Sequence, residues 1–140
     1  MIILDTNVVS EFMRDAPDAE VVSWLDRQPR NSIWTSSINV YEIRAGLLAT
    51  PAGKRQTLRT FAFERLLNDT IEGRIVPFDL AAAQQAAELE VARQRSGRPR
   101  DPRDTMIAGI VLASHATLAT RNVKHFEEIA KFVVNPWEKY

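Results

Sequence analysis

The 140 residues of the chain are 45% hydrophobic, enough for the core of one compact domain, so we expect a single domain over residues 1–140. Because there is no cysteine, disulfides, thiolate metal sites and cysteine nucleophiles are excluded, and a bound metal must use oxygen ligands or the two histidines. The 18 basic and 18 acidic residues balance, so no overall positive charge attracts nucleic acid.

The first residues lack a basic region, and their apolar run is far shorter than the ~20 residues of a membrane span. We therefore expect neither a signal peptide nor a membrane anchor. The expected location is the cytoplasm.

Short apolar runs alternate with helical patterns along the chain. The runs are too brief for helices and are typical of short strands. They are residues 2–4, 33–35, 75–78, 117–120 and 132–134. Between them, apolar residues recur at spacings of three and four, which predicts amphipathic helices. Strands that alternate with helices predict an α/β fold with three layers, α/β/α, around a central and mostly parallel sheet.

Capping residues mark where the predicted helices begin. The helical segments are residues 15–25, 37–48, 58–71, 80–95 and 101–115. Asp15 followed by Pro17 is typical of a cap and first turn, and Ser37 is a candidate cap for the next helix. Asp101 followed by Pro102 predicts the start of the last helix.

Polar residues come directly after several predicted strands. Asp5 follows the first strand, Glu42 lies early in the helix after the second, and Asn122 follows the fourth. Asp104 is the third residue of the helix that opens with Pro102. In a parallel α/β sheet, ligands collect beyond the carboxyl ends of the strands, so these side chains are expected at one edge of the sheet.

Each of these residues also has a purely structural explanation. Asp5 is suited to a turn or a helix cap, and Glu42 is favoured near a helix N-terminus by the helix dipole. Asp101 and Asp104 together resemble a capping box, and Asn122 is typical of a polar turn.

Convergence of three carboxylates would favour a bound cation. Two carboxylates about 4 Å apart repel by about 1 kcal/mol in water and by about 4 kcal/mol at an effective dielectric constant near 20. A divalent ion is the natural counter-charge. An all-oxygen site with few protein ligands suits Mg²⁺ or Mn²⁺.

Four segments resemble, in order, the motifs of PIN-domain ribonucleases. They are ILDTNVVSE at residues 3–11, SINVYEIRAG at 37–46, DTMIAG at 104–109 and LATRNVKHF at 118–126. The final NPW at residues 135–137 is similar to the ending of the FitB-like branch of VapC toxins. The resemblance therefore covers nearly the whole chain.

The resemblance implies an RNA-cleaving toxin of a type II toxin–antitoxin system. Such a protein uses Mg²⁺ or Mn²⁺, is held inactive by a cognate antitoxin and is expected to form a homodimer. Its reaction is hydrolysis of RNA by in-line attack, which leaves a 5′-phosphate and a 3′-hydroxyl.

The functional residues of the family carry over by motif. Asp5, Glu42 and Asp104 match the acidic positions that bind the metal and act in catalysis. Thr120 and Asn122 match polar positions of the fourth motif, where many members carry an additional aspartate. Because the amide of Asn122 has no charge, it weakens the case for two tightly bound metals, although we include it among the catalytic candidates.

Candidates for RNA binding flank the acidic residues. They are Thr6, Arg98, Arg100, Arg103, Thr120 and Arg121. The three arginines belong to a run of five, Arg93, Arg95, Arg98, Arg100 and Arg103, which leads into Asp104. The run is either a solvated helix end and loop or a surface that holds the RNA backbone.

Other polar and aromatic residues have weaker functional readings. Lys124 and His125 are either phosphate contacts or parts of a surface turn, and His115 is expected at a helix end. We expect core or interface packing, rather than base stacking, for Trp24, Trp34 and Trp137. Candidates for an antitoxin interface, with burial as the alternative, are Phe12, Met13, Phe61 and Phe63.

Two other function classes stay open. The first is a catalytically weak or inactive PIN-like module that only binds antitoxin or RNA. The uncharged Asn122, where many members carry an aspartate, is compatible with this class. The second is another Mg²⁺-dependent phosphoryl-transfer protein, such as a phosphatase or an aspartyl-phosphate receiver. That class needs a lysine near a nucleophilic aspartate, and no lysine precedes Lys54.

Overall fold

The computed structural model of the protein describes residues 1–139, in which five strands form one parallel sheet in the order β3-β2-β1-β4-β5. The strands are β1 (Ile2–Leu4), β2 (Ile33–Ser36), β3 (Ile75–Val76), β4 (Thr117–Ala119) and β5 (Val133–Val134). Helices cover both faces of this sheet. The predicted α/β/α fold with a parallel sheet is therefore confirmed.

The helices fill the connections between the strands. They are α1 (Thr6–Phe12), α2 (Ala19–Asp26), α3 (Ser37–Ala49), α4 (Lys54–Arg65), α5 (Leu80–Arg95) and α6 (Pro102–Ser114). A π-helical turn over Leu66–Thr70 continues α4, and 3₁₀ segments cover Arg30–Ser32 and Val123–Phe132. No helix in residues 1–139 combines the length and the apolar character that a membrane span requires.

Several predicted helix starts were wrong by a few residues. Sequence reasoning missed α1, whose N-cap is Asp5. Asp18 rather than Asp15 caps α2 by accepting hydrogen bonds from two backbone N–H groups. The cap of α3 is Ser36, whose hydroxyl accepts from the backbone N–H of Asn39, and Ser37 is the first helical residue. The fourth helix begins at residue 54 rather than 58.

Other predicted boundaries agree closely. Helix α5 covers the predicted residues 80–95, and Asp101 caps α6 by accepting a hydrogen bond from the backbone N–H of Arg103. Strand β3 ends before Pro77, which has no N–H to donate to a neighbouring strand. His115 ends α6 in the left-handed conformation, with φ 53°, as expected for a residue at a helix end.

Two apolar clusters lie on the two faces of the sheet. The first joins β1 and β2 to helices α1 to α4, and it includes Trp24 and Phe63. The second joins β1 and β4 to α5, α6 and the last 3₁₀ segment. Trp34 and Trp137 pack against these clusters, so the packing prediction for the tryptophans is confirmed. Phe61, by contrast, is 62% exposed.

The strand order changes direction at β1. From β1 the chain moves outward to β2 and β3, and it then returns through α5 and α6 to β4 on the other side of β1. Ligands of open α/β sheets bind at such a point, beyond the carboxyl ends of the strands. In this protein, the residues that follow β1 and β4 are Asp5 and Thr120.

Candidate active site

The carboxyl ends of β1 and β4 meet side by side and bring Asp5 next to Thr120. The backbone N–H of Asp5 donates to the carbonyl of Ala119 at 2.9 Å, which continues the ladder one residue past β1. The Thr120 hydroxyl donates to Asp5 Oδ2 at 2.7 Å. Two residues 115 positions apart in the sequence are thus held in direct contact by strand pairing.

Asp5 is a buried carboxylate that is surrounded by hydrogen-bond donors. Its Oδ1 accepts from the backbone N–H of Thr6 and from Asn39 Nδ2, both at 2.9 Å. Burial raises the pKa of Asp5, and the bonds from Thr120, Thr6 and Asn39 oppose that rise. The helix-cap reading of Asp5 is therefore correct, since Oδ1 accepts from the Thr6 N–H, while Oδ2 accepts from Thr120 and Asn7.

Glu42 and Asp104 are the two other half-buried carboxylates at this edge. The Thr6 hydroxyl donates to Glu42 Oε1 at 3.1 Å, and His125 Nδ1 lies 3.2 Å from Asp104 Oδ2. Burial raises the pKa of both carboxyls, and the negative charge of Asp5 raises each pKa further. The three predicted acidic residues are therefore close enough to repel one another.

The donor chemistry of this edge fits a hard divalent cation. Carboxylate oxygens are the ligands that Mg²⁺ and Mn²⁺ prefer, and a cation would offset the negative charge of Asp5, which adds to the effect of burial on the pKa values of Glu42 and Asp104. Residues 1–139 nevertheless contain no ready-made group of three or more acidic or histidine side chains around one point. Glu42 and Asp104 instead contact Thr6 and His125, each through one of its two carboxylate oxygens.

In the fourth motif, the side chain of Thr120 makes the hydrogen bonds to the site, whereas that of Asn122 does not. Thr120 is fully buried, and its hydroxyl accepts from Asn7 Nδ2 at 3.1 Å and from the backbone N–H of Asn122 at 3.0 Å. Asn122 is exposed and joins this network through its main chain. Its neighbour Arg121 lies over the ring of Trp137, 4.9 Å from the centroid.

The run of five arginines does not form one exposed surface. Arg93 is only 1% exposed, so the prediction that it belongs to a solvated, RNA-facing patch was wrong. Its guanidinium bonds to Glu128, Thr105 and the carbonyl of His125. The long side chain reaches inward from α5 because these acceptors lie between α5, α6 and the last 3₁₀ segment.

Three of the other four arginines of the run face acidic partners, whereas Arg95 is exposed and makes no ion pair in residues 1–139. Arg98 and Arg100 both contact Glu127, at 3.0 and 3.2 Å, while Arg103 pairs with Asp101 at 3.0 Å. Arg103 also lies 3.9 Å from Glu42, which places it at the rim of the acidic site. The buried Nε of Arg100 has no hydrogen-bond partner among the described residues.

Sequence reasoning missed three residues that organise the site. Asn39 is fully buried and holds Asp5 and Thr6, while Asn7 links Thr120 to Arg121 by accepting from the Arg121 backbone N–H. His125 contacts Asp104 rather than solvent alone. Asn39 precedes Glu42 by one helical turn, and that spacing is the signal that could have identified it.

Known proteins share both the sequence and the fold. A PIN-domain profile matches residues 2–132. VapC ribonuclease Y4jK of Sinorhizobium fredii is 39% identical over 138 residues, with 99% of each chain covered. Plasmid stability protein StbB of Pseudomonas syringae is also 39% identical over 138 residues, with the same coverage. Toxin FitB of Neisseria gonorrhoeae is 34% identical over 137 residues, which are 98% of this chain and 99% of FitB.

Solved structures agree with these sequence matches. The structure of FitAB bound to the IR36 DNA fragment contains a chain with a TM-score of 0.87 and 33% identity, which covers 100% of this chain and 98% of its own. FitAcB from Neisseria gonorrhoeae contains one with a TM-score of 0.84 and 34% identity, with coverages of 99% and 100%. The chain thus belongs to the PIN-domain family, among proteins of the VapC and FitB type.

Proposed function

We propose that this protein is a metal-dependent endoribonuclease and the toxin of a toxin–antitoxin pair. What supports the proposal is the placement of Asp5, Glu42 and Asp104 at one edge of the sheet, where the charge of Asp5 acts on the other two, in a chain that is 39% identical to a VapC ribonuclease. The substrate is RNA, and the reaction is hydrolysis of a phosphodiester bond. We further propose that residues 1–140 act as one domain, in the cytoplasm and as a homodimer.

Asp5, Glu42 and Asp104 would hold Mg²⁺ or Mn²⁺ in this proposal. The bound cation supplies a Lewis acid that polarises the phosphodiester and makes a water molecule more acidic. Asp5 keeps its orientation through Asn39 and Thr120, so at least one ligand is positioned before the metal binds. Such preorganisation lowers the cost of ordering a site.

The residues around the carboxylates would receive the RNA strand. Thr6 presents a hydroxyl group at the site, and Arg103 and Arg121 lie at its rim on α6 and after β4. We propose that these three contact the phosphates next to the scissile bond, with Asn122 beside them. Thr120 is fully buried and its hydroxyl already bonds to Asp5 and Asn7, so its proposed role is to hold Asp5 rather than to touch RNA. Contacts from Arg98 and Arg100 remain a prediction, since both share Glu127.

The proposed partner is a cognate antitoxin, in line with the FitAB and VapBC complexes among the structural neighbours. A regulated nuclease of this kind is inactive while the antitoxin covers its site. The antitoxin must therefore be removed before activity is measured.

A mixed RNA pool incubated with the purified, antitoxin-free protein tests this function. We expect cuts with Mg²⁺ or Mn²⁺, no cuts with EDTA, and a loss of at least about 100-fold in Asp104→Asn if the carboxylate is a metal ligand. Asp5→Asn is expected to behave in the same way. Asp26→Asn, on the exposed end of α2, is the matched control and should cut as the wild type does.

A binding module without catalysis is the second candidate. The observation that favours it is the lack of a ready-made ligand group in residues 1–139, together with the uncharged Asn122. If the folded, metal-loaded protein cuts no RNA in the pool, this candidate replaces the first. The same replacement follows if both aspartate variants cut as well as the wild type.

A further inference from the structure

Two adjoining grooves lead from the acidic site along α1, α3 and α4. The first, of about 560 Å³, has Thr6 and Glu42 in its lining and extends to Arg59. The second, of about 820 Å³, continues along α4. The two share the lining residues Met13, Arg14 and Arg59. They therefore form one path, which we call the α4 groove.

The α4 groove carries positive charges that have no acidic partner. Its basic lining residues are Arg14, Lys54, Arg55 and Arg59. Arg14 bonds to Glu11, whereas Lys54, Arg55 and Arg59 are exposed and make no ion pair with any residue in 1–139.

The acidic residues of the groove leave that positive charge in place. They are Glu11, Asp15 and Glu42. Glu11 is buried and already accepts bonds from Arg14 and from the backbone N–H of Asp18. Glu42 belongs to the proposed metal site, so Asp15 is the acidic group that remains opposite the unpaired cations.

The arginines beyond α5 have the opposite character. Arg98 and Arg100 share Glu127, and Arg103 is held by Asp101. A phosphate must compete with a carboxylate at each of these side chains. At Arg55 and Arg59 it meets a free cation, and the two lie four residues apart on one face of α4.

The floor of the groove is apolar, which suits the faces of unpaired bases. Met13, Ile43 and Leu47 line the part near the site, and Leu58, which is 58% exposed, lines the part along α4. Proteins that bind single-stranded nucleic acid combine a basic groove for the backbone with side chains, mostly aromatic, on which bases stack. The lining of this path supplies the basic residues, with aliphatic side chains in the place of aromatic ones.

We propose that the α4 groove binds the single-stranded RNA substrate on one side of the cleavage site, with Arg55 and Arg59 contacting its phosphates. The proposal rests on the proposed ribonuclease function, because it extends the path of that substrate. In this proposal, the main electrostatic contact with RNA is made by α4 rather than by the arginines after α5. A protein segment, such as part of an antitoxin, is the competing occupant.

Binding of a fluorescent, unstructured RNA oligonucleotide to the full-length, antitoxin-free protein tests the proposal. Fluorescence anisotropy in EDTA measures Kd without cleavage, and a series of salt concentrations gives the slope of log K against log salt. The double variant Arg55→Gln/Arg59→Gln should bind several-fold more weakly. The magnitude of its salt-dependence slope should decrease by about 1.4, since each phosphate contact to a single strand contributes about 0.7.

Matched variants distinguish a loss of RNA binding that is due to the groove from a loss that is due to lower overall charge. Arg98→Gln/Arg100→Gln removes the same charge from the segment after α5, which is the competing site for RNA contacts, and should lower the slope by less than the groove variant does. Arg55→Lys/Arg59→Lys keeps the charge and should restore binding. All four positions are at least partly exposed, so thermal unfolding should give the wild-type midpoint for each variant.

Three results would overturn the proposal. They are wild-type RNA binding by the Arg55→Gln/Arg59→Gln variant, a larger loss of slope in the Arg98→Gln/Arg100→Gln variant, and no RNA binding by the folded wild type. If the groove variant keeps RNA affinity but loses a co-expressed antitoxin, the groove is a protein site. The cleavage assay is independent, so a protein that binds RNA through this groove and cuts nothing refutes only the ribonuclease.

Discussion

Arg93 Nε lies 2.7 Å from Glu128 Oε1, so a guanidinium that is 1% exposed is paired with a carboxylate that reaches the surface. The other nitrogens of Arg93 donate to Thr105 Oγ1 at 2.8 Å and to the His125 carbonyl at 2.9 Å. Arg93 therefore fastens α5 to α6 at the residue after Asp104, and to the segment that carries His125.

Replacement of Arg93 by methionine should destabilise the protein. The substitution keeps most of the side-chain volume but leaves the Thr105 hydroxyl and the His125 carbonyl without their donor, at a cost of about 1–3 kcal/mol for each buried group left unsatisfied. Denaturant unfolding measures the loss. The control is Arg95→Met, because Arg95 is exposed on the same helix and should cost less than about 0.5 kcal/mol. Equal losses in the two variants would show that the buried network contributes nothing.

The same ion pair predicts an acid-sensitive component of stability. Burial of the Glu128 carboxyl opposes its ionisation, but the hydrogen bond and positive charge of Arg93 prevail and hold its pKa below the usual value. A lowered pKa stabilises the folded protein above the unfolded-state pKa, and this stabilisation is lost as the pH falls through the folded-state pKa. Glu128→Gln should flatten the loss of unfolding free energy in that acidic range. A pH series of unfolding curves for both proteins checks this, and parallel curves would contradict it.

Removal of the charge at Asp104 should stabilise the metal-free protein. Burial, followed by the charges of Asp5 and Asp101, raises the pKa of Asp104 even though His125 opposes the rise. A raised carboxyl pKa favours the folded state only below the unfolded-state pKa, so the ionised group is unfavourable near neutral pH. We expect Asp104→Asn to gain about 0.5–2 kcal/mol in EDTA while losing metal-dependent cleavage. A lower melting temperature than wild type in EDTA would refute this trade-off.

Gly109 lets α5 and α6 approach more closely than any side chain would permit. A Cβ at this position would lie 2.6 Å from the Ala82 carbonyl oxygen and 2.8 Å from Ala86 Cβ. Gly109→Ala should therefore cost about 1–3 kcal/mol, because the obstruction is largely backbone. Gly46→Ala in α3 is the control. Nothing lies within 4 Å of its added Cβ, and the change should gain about 0.5–1 kcal/mol of helix stability.

Much of this fold could be predicted because its signals are local. Short apolar runs gave all five strands, and the cap of α6 was correct because Asp101 and Pro102 act within one turn. The edge that gathers Asp5, Glu42 and Asp104 followed from the parallel order of the strands. Helix α1 was missed because its seven residues begin directly after Asp5, in a segment that is also typical of a turn.

The rest depends on contacts that spacing along the chain does not encode. Arg93 sits in a run of arginines that is typical of a solvated surface, yet it is buried by partners 12 and 35 residues away. Asn39 and His125 orient the carboxylates through tertiary contacts. The sequence also does not show which arginines have acidic partners in the folded protein, so the unpaired state of Arg55 and Arg59 could not be predicted from it.

The central position of β1 also sets when this protein can become active during its synthesis. Strand β1 leaves the ribosome well before its neighbour β4, because β2, β3 and the helices α1 to α6 lie between them in the chain. Asp5 therefore lacks its contact with Thr120 until all of these elements have been made, and Asp104 emerges only shortly before β4. A nascent or prematurely terminated chain that lacks β4 cannot hold Asp5 in the orientation described above.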